Sequence, residues 1–140
     1  MQVGNKAYRV EADIPAVVPV FPLEGALLLP GTQLPLNIFE PRYLAMIDDC
    51  IAGDRVIGII QPVLEHGATH KGGVADLCPV GCLGRITSLG ETGDGRYVVT
   101  LAGISRFRVL EEVSHGRKPY RYCRISPFLG DLHDGNEGAE

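Results

Sequence analysis

The chain has 140 residues, room for one ordinary domain and not for two. With 45% hydrophobic and 21% charged residues it reads as a folded globular protein and not a disordered one. The net charge of -4 excludes a uniformly basic nucleic-acid binder, although the stretch from Arg85 to Arg124 carries +4 and leaves -8 on the remainder.

Residues 1–15 are mixed and polar and read as a loose amino-terminal arm with no apolar run of signal-peptide length. Val17 to Leu23 is β-branched and flanked by proline. Because proline removes a ladder donor, this stretch is expected as an edge or end strand. Ala26 to Leu29 is an apolar run stopped by the turn pair Pro30-Gly31. Leu27, Leu28 and Leu29 cannot all face one way in an extended chain, so at least one points away from what the others bury. Leu34, Leu36 and Ile38 then alternate with more polar positions, the period of a strand with one buried face.

The period changes next. Tyr43, Met46, Ile47, Cys50 and Ile51 form a single helical stripe, predicting an α-helix over about 42–52. Pro41 suits its first turn and Gly53 suits a left-handed residue just past its end. Val56 to Ile60, apolar except for Gly58, reads as a buried strand. Residues 64–76 read as a loop.

In "VGCLGRITSLGE", Cys82, Gly84, Ile86 and Ser88 share one face of a strand, and Leu83, Arg85, Thr87 and Leu89 the other. "GDG" at 93–95 marks a hairpin turn. Tyr97 to Leu101 follows as a strand, Ala102-Gly103 permits a bulge or bend, and Arg106 and Arg108 alternate with Phe107 and Val109. Tyr120 to Ile125 is the last strand. Residues 129–140, acidic and glycine-rich, read as a flexible tail that never folds. The sum is an α+β, mostly β domain over 16–128, with about six short, mainly antiparallel strands and one inserted helix around a single apolar centre. Closing those strands into a small barrel would remove exposed edges.

Reactive motifs are sparse. His66, His70, Cys78 and Cys82 offer zinc-ligand chemistry, but Cys82 begins a strand, without the tight turns of a cysteine knuckle, so its side chain need not point the same way as that of Cys78. No metal site is expected. None of Ser88, Ser105, Ser114 and Ser126 stands on a nucleophile elbow, and none of the three lysines precedes serine or threonine as a phosphate loop requires. No catalytic residue and no cofactor is expected. The four cysteines read as free thiols of a cytoplasmic protein. The proline-broken stretch from Val18 to Ile47 is too interrupted for a membrane helix.

Three blocks carry a family resemblance: "VPVFPLEGALLLPGTQLPLNIFEPRYLAMI", "VGCLGRI" and "GRYVVTLAGISRFRV". Their order and spacing resemble the amino-terminal substrate-binding domain of Lon proteases over about residues 16–126, in the manner of small bacterial proteins that carry this domain without ATPase or peptidase parts. The resemblance implies a PUA-like pseudo-barrel. It also implies a non-catalytic module that holds unfolded or tagged polypeptides, with a protease or chaperone as a further partner and weak homo-oligomers. The helical region that follows the barrel in relatives has no amphipathic counterpart after Phe128. On this reading Leu28, Leu29, Pro30 and Phe39 are the expected peptide contacts. The alternative is an RNA-binding PUA-like module using a basic patch of Arg85, Arg106 and Arg108. The acidic balance, the absence of tryptophan and only 6% aromatic residues weigh against base stacking.

Overall fold

The structure, a computed structural model, describes residues 1–63, 76–114 and 116–133. It begins with a small hairpin of β1 (Gln2–Val3) and β2 (Lys6–Ala7), and a 3-10 turn at Glu11–Asp13 follows. The expected loose arm is instead packed. Val3, Tyr8 and Ile14 are buried against the barrel, and the Met1 ammonium donates to the carbonyls of Tyr8 at 3.1 Å and Leu132 at 2.5 Å. Three anchors at irregular spacing give no periodic signal, which is why composition alone misreads the segment.

Six further strands form a mixed sheet. They are β3 (Val17–Pro22), β4 (Gln33–Ile38), β5 (Val56–Ile60), β6 (Val80–Glu91), β7 (Tyr97–Val113) and β8 (Arg121–Pro127), in the spatial order β4-β7-β6-β5-β3-β8. β7 also pairs with β8, which closes a ring of β7, β6, β5, β3 and β8 and leaves β4 outside it. All pairings are antiparallel except β3 with β5.

β3 is not the edge strand its prolines suggest. It lies between β8, paired over Val17–Val20, and β5, paired over Val20–Pro22. The two pairings meet only at Val20, so each proline falls where the ladder runs on one side alone.

β7 is one long strand, and the bulge or bend that Ala102-Gly103 permits falls beside that pair, at Ile104. Its first part pairs with β4 and its last part with β8, and the ladder to β6 shifts between Leu83 and Gly84. A bulge there bends the strand without ending it. This bend lets the same strand belong to the flat flap carrying β4 and to the closed barrel.

The helix α1 (Pro41–Ala52) follows the predicted stripe, with Tyr43, Met46, Ile47 and Cys50 buried and Pro41 in the first turn. Its end differs from expectation. Gly53 has φ -119° and is not left-handed, while Arg55 takes φ 62°. The amides of Gly53 and Arg55 both donate to the Cys50 carbonyl, at 3.1 and 2.9 Å.

Two apolar clusters replace the single expected centre. One, under α1, holds Phe21, Leu28, Met46, Ile57, Val99 and Leu101. The other fills the barrel with Val18, Val20, Leu83, Ile104, Phe107 and Cys123. β5 divides them: Ile57 and Ile59 face the helix side, Val56 and Ile60 the barrel, and all five residues of the strand are buried. That is the physical cause of its unbroken apolar run. The Phe107 ring takes the space over Gly58 and Gly81, where a Cβ would come within 2.8 and 2.7 Å of it.

The predicted tail also begins too early. Leu129–Leu132 forms a 3-10 turn that buries Leu132 in the barrel cluster. Asp131 accepts from the Arg106 amide at 3.0 Å and from its guanidinium at 2.9 Å twice. Residues 134–140 of the predicted tail and residues 64–75 of the loop predicted over 64–76 lie outside the described residues.

Candidate functional site

The segment between β3 and β4 is exposed yet tightly held. The Ala26 amide donates to Leu23 at 3.3 Å. The Gln61 side chain clamps the same turn, accepting from the Gly25 amide at 3.0 Å and donating to the Ala26 carbonyl at 2.6 Å. Thr32 fixes the far end. Its hydroxyl accepts from the Leu29 amide at 3.1 Å and donates to the Leu29 carbonyl at 2.8 Å. Two backbone bonds then lay the turn on β7, Gly31 N–H to Gly103 carbonyl at 3.0 Å and Gly103 N–H to Thr32 carbonyl at 2.8 Å. A Cβ at Gly103 would sit 2.0 Å from the Leu29 carbonyl oxygen, so only glycine admits this approach.

Along this clamped chain the leucines alternate. Leu28 is 4% exposed and packs over Gly84, whereas Leu27 is 71% and Leu29 46% exposed. Leu28 is therefore a core residue, correcting the expectation that it stands exposed. An extended chain with one leucine turned inward must turn both neighbours outward. The sequence implies that alternation but not its sense, so Leu27 is missed. Beside the two outward leucines lies a recess of about 210 Å³ lined by Leu27, Leu28, Leu29, Ile59, Cys82 and Arg106. Pro30, half-buried, makes the corner next to Gly31, which takes φ 81°.

Phe39 is 63% exposed and borders a second recess of about 220 Å³, with Leu23, Ile38 and the stacked pair Phe21–Tyr43, whose centroids are 4.2 Å apart. The guanidinium of Arg96 is 6.0 Å from the Phe39 ring centroid. The whole of β4 separates Phe39 from the leucine turn, a span of about 20 Å for a strand of this length. The expected contacts thus form two apolar points at opposite ends of one strand.

The basic patch does not assemble as expected. Arg106 and Arg108 share a face of β7, with guanidiniums 4.8 and 5.4 Å from the Phe128 centroid. Arg85 lies on the opposite sheet face, donating to the Tyr8 hydroxyl at 3.0 Å and the Asp54 carbonyl at 3.3 Å. Four of the five other cations of the +4 stretch are paired, all but Arg117: Arg121 with Glu112, Arg124 with Glu111, Arg96 with Asp94 and Lys118 with Asp49. Alternation along strands scatters residues that are neighbours in sequence, and among the described residues no strip of free cations supports the RNA reading.

Three of the four thiols are unsuited to attack. Burial first, then nearby carboxylates, pushes Cys50 and Cys82 up to about 12 and Cys123 up to about 11, so all three stay protonated near neutrality. Ser105 is wholly buried, and its hydroxyl makes no hydrogen bond among the described residues. Of the zinc-like quartet, His66 and His70 lie outside the described residues. Among those described, no group of three or more His, Cys, Asp or Glu side chains gathers. No helix among them is long and apolar enough to cross a membrane.

Comparison with known proteins places this geometry. The family model of the ATP-dependent protease La (LON) substrate-binding domain matches residues 17–137. The Lon protease of Anaeromyxobacter dehalogenans is 35% identical over 81% of this chain, and Lon protease 2 of Myxococcus xanthus 34% over the same share; the chain spans 13% of each. Among solved structures, a Lon N-terminal domain protein from Xanthomonas campestris superposes with TM-score 0.62 and 29% identity, over 79% of this chain and 59% of that one. The N-terminal domain of a Mycobacterium avium complex Lon protease shares the fold at TM-score 0.61 and 18% identity, over 79% of this chain and 54% of that one. By sequence and by fold, the chain belongs to the family of Lon substrate-binding domains.

Proposed function

We propose that this domain captures exposed apolar segments of non-native or tagged polypeptides and carries out no chemistry on them. The observation that carries the reading is the outward pair Leu27 and Leu29, held beside an apolar recess on a turn whose backbone is clamped at both ends. A surface already ordered before binding loses little further entropy when a partner covers it. Each leucine fully covered contributes roughly 1.5–3 kcal/mol. Phe39 at the other end of β4 supplies a second contact, so an extended segment of about six residues reaches both points. The domain serves as a holding surface for a protease or chaperone that does the chemistry, and weak homo-oligomers supply avidity.

The test uses a permanently unfolded polypeptide, reduced and carboxymethylated α-lactalbumin, followed by fluorescence anisotropy. Leu29→Asp is expected to weaken binding about tenfold, because a charge then replaces a buried anchor. Phe39→Ser is expected to weaken it less. Affinity unchanged in both variants would contradict the reading.

A further inference from the structure

Among the described residues, the rim of the leucine recess carries more positive than negative charge. Arg106 stands opposite Cys82 and Arg108 opposite Val80 in the β6–β7 ladder, and both of those β6 residues line the recess. The two guanidiniums therefore project on the recess side, both stacked at the Phe128 ring. Asp131 engages Arg106 through both carboxylate oxygens. Among the described residues Arg108 has no carboxylate partner, and its side chain is exposed. Among the described residues, two cations thus share one anion at the edge of an aliphatic hollow.

We propose that the captured segment is an apolar residue followed closely by aspartate or glutamate, its side chain in the recess and its carboxylate on Arg108. This rests on the apolar-capture reading above and specifies its substrate class. A guanidinium steadied by an aromatic ring is pre-organised for a planar carboxylate. Beside apolar walls the pair is less screened than in open water. A nucleic acid fits less well. Phosphates would meet Arg108, but the hollow is aliphatic and both guanidiniums already lie against Phe128, leaving its ring little room to stack a base.

The experiment titrates the full chain against fluorescein-labelled, C-terminally amidated decapeptides in a Gly/Ser background. Their cores are Leu-Leu-Asp-Glu, Leu-Leu-Asn-Gln and Ser-Ser-Asp-Glu, and a labelled oligouridylate is the fourth probe. The acidic leucine peptide is expected to bind about fivefold tighter than its amide counterpart. Arg108→Gln is expected to abolish that preference while leaving the amide peptide unchanged, and Arg108→Lys to retain part of it. Equal affinity for the two leucine peptides, or a preference that survives Arg108→Gln, overturns the charge proposal and leaves apolar capture standing. Binding of neither leucine peptide overturns both. Oligouridylate or the serine peptide binding as tightly as the acidic leucine peptide would show a general anion surface and also overturn the proposal.

Discussion

Gly103 holds the leucine turn in place without touching a ligand. Its missing side chain is what lets the Leu29 carbonyl approach β7, since a Cβ there would lie 2.0 Å from that oxygen. Gly103→Ala is therefore expected to cost about 1–3 kcal/mol in urea unfolding and to loosen the turn. The same variant should bind unfolded polypeptide more weakly although Leu27 and Leu29 are intact. Full binding by this variant would separate the turn's rigidity from its function.

Asp131 works through charge instead of shape. Hydrogen bonds from the Arg106 side chain, then its backbone amide, hold the carboxyl below its ordinary value of 3.8. A depressed folded value contributes stability that is present above the unfolded value and lost as pH falls through the folded one. The turn at Leu129–Leu132 should thus weaken as pH drops below about 4. Asp131→Asn should lower the Tm at pH 7 and flatten the acid limb of the Tm profile. A wild-type profile already flat between about pH 5 and 2 would contradict this.

At the scale of elements, β4 shows how an exposed edge is kept quiet. The Gly103 N–H bond to the Thr32 carbonyl sets the alternation. Leu34, Leu36 and Ile38 direct their backbone groups at β7, and Gln33, Pro35 and Asn37 direct theirs at the free edge. Pro35 thereby removes the middle donor of that edge and protects it from pairing with another chain. Pro35→Val is expected to fold normally but to associate as concentration rises, visible in sedimentation velocity; a variant as monomeric as the parent would contradict this.

Elements whose side chains follow one period were legible in the sequence: the stripe of α1, the alternation of β4 and the hairpin turn at 93–95. What was not legible depends on partners distant in the chain. Pro19 and Pro22 suggested an edge because the sequence cannot show that β8 and β5 divide β3 between them. Val3, Tyr8 and Leu132 looked peripheral because each is a single anchor in a polar context, buried only when the barrel end meets it. The site was half legible for the same reason. Leu29 and Phe39 are exposed as expected, but which leucine turned inward was decided by Gly84 and Leu101 across the sheet.

The whole molecule is a bent sheet with a core on each side. The closed part of the sheet encloses one core, and α1 covers the other together with the β4 flap. β7 joins the two parts, so the leucine turn rests on a strand anchored in both ladders. A binding surface on such a strand is positioned by the entire fold, and binding should perturb little beyond the turn and its recess. The tie of Asp49 to Tyr120 and Lys118 closes α1 against the start of β8, away from the leucine turn.

The most direct test is an NMR titration of the isotope-labelled chain with carboxymethylated α-lactalbumin, reading each backbone amide. The predicted result is that shifts concentrate at residues 26–32 and 80–82, with a second group at Phe39 and the start of α1. Shifts gathered on β3 and β8 instead, or none at all at saturating polypeptide, would contradict the assignment of the leucine turn as the capture site.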